Sequence, residues 1–94
     1  MEITKQAVAG TVESSDVLVE MSPAEGELQI DLESPVKAQF GESILKTVEE
    51  VLKNEGVSSG KVKLQDHGAL DCTIRARVLA CLHRASGEEE AKHA

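Results

Sequence analysis

The stretch Ala7-Val8-Ala9-Gly10-Thr11-Val12-Glu13-Ser14-Ser15-Asp16-Val17-Leu18-Val19-Glu20-Met21 decides the fold. Val17, Val19 and Met21 share one face of an extended run, and Ala7 to Val12 reads as a second run of the same kind. Glu13-Ser14-Ser15-Asp16 between them is a short polar turn. Two strands joined by so few residues pair antiparallel, which leaves the turn exposed at the tip of a hairpin.

Outward from the hairpin, Ser22-Pro23-Ala24-Glu25-Gly26 is turn chemistry, and Leu28, Ile30 and Leu32 alternate in a third strand. A three-stranded meander is the natural expectation. Ser34 suits a helix N-cap, Pro35 the first helical position and Gly56 the stop. On a helical wheel Val36, Phe40, Ile44, Leu45, Val48, Val51 and Leu52 occupy one half, with Glu42, Lys46, Glu49, Glu50 and Lys53 on the other. Glu42 with Lys46 and Glu49 with Lys53 are spaced as surface ion pairs.

Lys61 to Asp66 alternates as a fourth strand, and a strand, helix, strand sequence implies a right-handed crossover to a parallel neighbour. Ala69 to Ala85 then reads as a second helix, with Leu70, Ile74, Val78, Cys81 and Leu82 as its core stripe and Ser86-Gly87 as its end. Ala69, Cys72, Ala76 and Ala80 form a second, small-residue face. It is explained either by alanine's helix propensity or by close approach of a partner. The expected fold class is α+β, a two-layer sandwich in the order β-β-β-α-β-α, with a mostly antiparallel sheet and two helices on one face. Residues 1–87 are expected to form a single domain and residues 88–94 a flexible polar tail.

Ten basic against seventeen acidic side chains give a net charge of -7 over 94 residues. That balance argues against a nucleic-acid surface, which needs clustered Lys and Arg. No stretch approaches the roughly eighteen apolar residues of a membrane span, and Met1 to Gln6 lacks a signal-peptide profile, so a cytoplasmic location is expected. Cys72 and Cys81 fall on opposite sides of one helix, so no disulfide is expected. With His67, His83 and His93 they build no metal-ligand spacing, and no metal site is expected.

A catalytic constellation is also missing. His67 and Cys72 are close in sequence, but Cys72 lies within a helix and nothing orients the imidazole as a nucleophilic dyad requires. Asp71 and Arg75 read as an ordinary ion pair four residues apart. The glycines match no phosphate-cradling pattern. There remain Ser14 and Ser15, two hydroxyls on an exposed acidic turn, which local hydrogen bonding alone would account for.

Ala7 to Asp16, together with Gly68-Ala69-Leu70-Asp71-Cys72-Thr73-Ile74-Arg75-Ala76-Arg77, closely resembles the acyl carrier protein, or gamma subunit, of bacterial citrate lyase. Gln39-Phe40-Gly41 and Arg84-Ala85-Ser86-Gly87 are similar to that family too, so the resemblance covers residues 3–87. It implies a non-catalytic carrier. In the family a serine directly after Thr-x-Glu bears a phosphodiester-linked 2'-(5''-phosphoribosyl)-3'-dephospho-CoA, whose thiol carries acetyl or citryl thioesters. The matching residue is Ser14, after Thr11-Val12-Glu13, and the family commonly places glycine or another small residue at position 15. The implied partners are an alpha subunit (acyl transferase), a beta subunit (citryl lyase) and a prosthetic-group transferase. The acidic turn would then serve as a docking surface for basic patches on those partners. Two other readings compete: the carrier subunit of malonate decarboxylase, on a related domain, and an unmodified assembly domain that uses the alanine face.

Overall fold

The computed structural model describes residues 1–87, so the tail expected at 88–94 lies outside the described residues. Six elements follow the expected order: β1 (Ala7–Gly10), β2 (Val17–Ser22), β3 (Gln29–Glu33), α1 (Lys37–Asn54), β4 (Lys61–Asp66) and α2 (Asp71–Ala85). β1 and β2 form the antiparallel hairpin, with Ala9 opposite Val19 and Gly10 opposite Leu18. The strand order is β1-β2-β4-β3, which corrects the meander. β3 does not pair with β2; it lies at the far edge, parallel to β4, and β4 inserts antiparallel to β2. The physical reason is the crossover itself: α1 returns the chain beside β3, and the central place goes to β4, whose helix-facing Val62 and Leu64 are fully buried. The sheet thus keeps two antiparallel pairings and one parallel, and the α+β class stands.

Strand register stacks apolar side chains in rows under the helices. Ala9, Val19, Leu64 and Leu32 form one row, and Ala7, Met21, Val62 and Ile30 the next. The opposite face is polar, with Glu20, Lys63 and Asp31 side by side, so water covers it. From the helical layer Ile44, Val48, Val51 and Leu52 of α1 and Ile74, Val78, Cys81, Leu82 and Ala85 of α2 close the core. The first residues are tied to the end of the helices away from the hairpin turn. Ile3 is buried, the Thr4 and Lys5 N–H groups donate to the Ala85 carbonyl at 2.9 and 3.0 Å, and the Met1 amine donates to the Glu55 carbonyl at 2.6 Å.

Several local expectations shift. α1 begins at Lys37 behind Val36, without a side-chain cap, instead of at Pro35 behind Ser34. The Ser34 hydroxyl donates to Asp66 Oδ2 at 2.8 Å and accepts from the Val36 N–H at 3.2 Å, so it locks a turn before the helix. Gly56 ends α1 as expected, at φ 72°, with the Gly56 N–H on the Lys53 carbonyl and the Val57 N–H on the Leu52 carbonyl. Among the described residues the Glu42–Lys46 and Glu49–Lys53 pairs do not form; Glu50 instead meets Arg75 at 3.3 Å, across the two helices. α2 starts two residues later than expected, at Asp71. Phe40 and Leu70, assigned to core stripes from periodicity, are 53% and 69% exposed. The small-residue face also splits: Ala69 and Ala80 pack partly against the core, while Cys72 and Ala76 face solvent.

Candidate functional site

The β1–β2 turn stands at the end of the sheet where β4 finishes, because Val17, the first residue of β2, lies opposite Asp66, the last of β4. Both helices begin at this same end, since α1 follows β3 and α2 follows β4. Ser14 and Ser15 are exposed there, as the hairpin reading requires.

The turn is built by its neighbours rather than by its two serines. Asp16 is the organising residue: its carboxylate accepts from the Thr11 hydroxyl at 2.7 Å, from Arg77 Nε and Nη2 at 3.1 and 3.0 Å, and from the Val17 N–H at 2.8 Å. Those donors, the Thr11 hydroxyl first and Arg77 next, hold its acidity at about 2, below the ordinary 3.8. The Thr11 oxygen in turn accepts from the Glu13 N–H at 3.2 Å, and the Glu13 carbonyl accepts from the Asp16 N–H at 3.2 Å. Gly10, at φ 88°, lets the strand enter this turn where a Cβ would stand 1.8 Å from the Val17 carbonyl oxygen.

Two backbone bonds clamp the turn to the β4–α2 connection: the Ser15 N–H donates to the His67 carbonyl at 2.7 Å, and the His67 N–H donates to the Asp16 carbonyl at 2.9 Å. Ser15 is held at φ 66°, the one non-glycine described residue in the left-handed region. Its backbone is therefore committed to the clamp. Beneath the connection, buried Asp66 accepts from the Ser34 hydroxyl and from the Ala69 N–H at 2.9 Å, and so joins the starts of both helices to the end of β4. The Ser14 and Ser15 hydroxyls are both exposed, and neither makes a hydrogen bond with any described residue.

No other chemistry among the described residues converges on the turn. Among the described residues no group of His, Cys, Asp and Glu could hold a metal ion. Cys72 is exposed and Cys81 buried, on opposite sides of α2. Burial pushes the Cys81 thiol up to about 11, and its Sγ lies 3.4 Å from the Ala7 carbonyl oxygen. Asp71 and Arg75 form the expected ion pair at 2.8 Å, and Asp71 also accepts from the Thr47 hydroxyl at 2.6 Å. Sequence reasoning missed Asp16, Arg77 and Asp66 as the frame of the site. Asp16 and Arg77 are 61 positions apart, and no local spacing signals such a pair.

A family model described as the malonate decarboxylase delta subunit matches residues 4–85. Among curated relatives, the citrate lyase acyl carrier protein of Streptococcus uberis is 49% identical over 90 residues, covering 96% of this chain and 89% of its own length. That of Lactobacillus helveticus is 48% identical over 90 residues, at 96% and 93% coverage. That of Pectobacterium atrosepticum is 46% identical over 90 residues, at 96% and 94% coverage. In shape the chain is similar to one in the crystal structure of a Pseudomonas malonate decarboxylase hetero-tetramer in complex with malonate, at a TM-score of 0.77, 19% identity, and coverage of 88% and 86%. That likeness shows a shared fold. On the identities and coverage of its curated relatives, the chain belongs to the citrate lyase acyl carrier protein family, whose members are carriers rather than catalysts.

Proposed function

We propose that this chain is the acyl carrier of a citrate lyase and that Ser14 bears a phosphodiester-linked 2'-(5''-phosphoribosyl)-3'-dephospho-CoA. When bound, the group supplies a thiol that carries acetyl and citryl thioesters while citrate is cleaved to acetate and oxaloacetate. The single observation that carries the choice of serine is the contrast within the turn. Both hydroxyls are exposed and neither is hydrogen-bonded to a described residue; what differs is the backbone, because Ser15 sits at φ 66° with its N–H bound to the His67 carbonyl. A left-handed backbone favours glycine, which accords with the family's preference for glycine or another small residue at position 15.

The residues present fit a group held at its base by one covalent bond. Arg77, the cation bonded into the turn, is engaged by Asp16, so no built cradle for a phosphate competes with tethering. Among the described residues no base is bonded to the Ser14 hydroxyl to activate it, which fits loading by a separate transferase. A pivot on a hairpin clamped to a rigid sheet keeps the arm's origin fixed while its far end visits an alpha acyl transferase and a beta citryl lyase. The fixed origin confines the tethered group to a small volume, which raises its local concentration at both partners. Location in the cytoplasm belongs to this reading; among the described residues no helix is long and apolar enough to cross a membrane.

The test is Ser14→Ala in the reconstituted complex. Loss of citrate cleavage with assembly intact is the expected result; full activity with an adduct still present would move the attachment to Ser15, and full activity without one would point to the unmodified assembly domain. The family model's description names malonate decarboxylase, but the 46% to 49% identities to citrate lyase carriers and the Gly68-Ala69-Leu70-Asp71 motif favour citrate.

A further inference from the structure

A groove of about 410 Å³ opens beside the turn, between the start of α1 and the β4–α2 connection. Its walls are mostly apolar, formed by Val36, Phe40, Ile44, Leu70 and Ile74, with the Ser43, Thr47 and Asp71 side chains as its polar points. Asp66 and Gly68 also line it, and His67 between them is the residue whose carbonyl receives the Ser15 N–H. The groove therefore adjoins the serine turn through a direct backbone bond. Periodicity placed Phe40 and Leu70 in the core, yet they stand 53% and 69% exposed at this groove.

Resting on the carrier reading above, we infer that this groove seats the acetyl-thioester end of the arm attached at Ser14. The volume lies within the range of small-molecule sites, and an apolar lining with a few polar groups is their usual make-up. A pantetheine thioester matches that lining, because it is neutral and alternates pairs of methylene groups with amides. The Asp71 carboxylate and the Thr47 and Ser43 hydroxyls can accept from its amide N–H groups. The Asp66 carboxylate, bonded among the described residues to the neutral Ser34 hydroxyl and Ala69 N–H, favours a neutral acyl group such as acetyl over one bearing carboxylates. Tethering makes a weak seat sufficient, because a linked group samples its site at an effective concentration of about millimolar. The seat would shield a reactive thioester between visits to the partner subunits.

The experiment compares methyl NMR spectra of the full chain unloaded, loaded, and loaded then acetylated, with loading confirmed by intact mass. The Ile44, Ile74 and Leu70 methyl signals are expected to move on acetyl loading and to show contacts with the arm. In Ser43→Phe, which fills the groove from an exposed position, and in Leu70→Asp, those effects should vanish. Added hydroxylamine should then cleave the thioester about threefold faster than in the unaltered chain, the ratio for a seat occupied roughly two-thirds of the time. Shifts confined to residues 13–16 and His67, with equal cleavage rates, would overturn the seat and leave the carrier reading intact. Groove signals that move only when partner subunits are added would overturn it in favour of partner docking. A chain that never carries an adduct overturns both readings.

Discussion

Arg77, in the middle of α2, reaches across to the β1–β2 turn and grips the Asp16 carboxylate with Nε and Nη2 at 3.1 and 3.0 Å. This bond ties the serine-bearing turn to the helical layer, and with the His67 clamp it fixes the turn from two sides. Of the two acidic residues in the turn, Glu13 is exposed, while the Asp16 side chain is only 13% accessible and already paired. The acidic docking surface expected from sequence therefore shrinks to Glu13 within the turn.

Acid should loosen this end of the molecule. Asp16 titrates at about 2 in the folded chain against 3.8 ordinarily, so the unfolded chain takes up its proton first. The stabilisation is fully present above pH 3.8 and fades as the pH falls toward about 2. Asp71, held down by the Thr47 hydroxyl and then Arg75, and Glu2, held down by the Ser58 N–H and hydroxyl, act in the same direction. Urea unfolding across this pH range should show a shallower acid dependence in Asp16→Asn than in the unaltered chain. Equal slopes would remove Asp16 from the account.

Gly10→Ala should be among the costliest small substitutions. The added Cβ would meet the Val17 carbonyl oxygen at 1.8 Å on a backbone at φ 88°, so the hairpin must shift. A loss of at least about 2 kcal/mol is expected, which corresponds to a fall in Tm of roughly 8–16 °C for a chain of this size. Calorimetry checks it, and an unchanged Tm would contradict the close approach.

Position 15 should prefer glycine to a branched residue. Ser15→Gly relieves a left-handed serine but adds freedom to the unfolded chain, so stability should stay level or rise by up to about 1 kcal/mol, with loading retained. Ser15→Val should destabilise by roughly 1–2 kcal/mol. Denaturant titration with intact-mass measurement reads both effects, and a Ser15→Gly chain that no longer loads would transfer the attachment role to Ser15.

The chain's own thiols should separate cleanly. Iodoacetamide on the native chain should modify exposed Cys72 and spare Cys81, which is buried with its thiol pushed up to about 11. Both should react in denaturant. Peptide mapping distinguishes the two, and native labelling of Cys81 would mean that the core opens readily.

Strand and helix identities were legible because each element carries its period: Val17, Val19 and Met21 alternate, and Ile44, Val48, Val51 and Leu52 repeat at helical spacing. Strand order was not legible, since β2, β3 and β4 carry equally good alternation and only the tertiary crossover places β4 at the centre. Burial also depends on what lies opposite. Phe40 and Leu70 have the right phase for their stripes, but they sit at the helix starts, where the described residues leave them exposed. Ile3 shows the reverse case: a residue in an unpatterned stretch becomes buried, and its Cδ1 would lie 2.7 Å from a Cβ at Gly60. The exposed serine turn was readable from the short hairpin, whereas its frame of Asp16, Arg77 and Asp66 comes from contacts between distant segments.

The most direct test is intact-mass and peptide mass spectrometry of the chain purified from its native host grown on citrate. The account predicts a phosphoribosyl-dephospho-CoA adduct on Ser14. An unmodified chain from cells with active citrate lyase would contradict the carrier role, and an adduct on Ser15 would contradict the site.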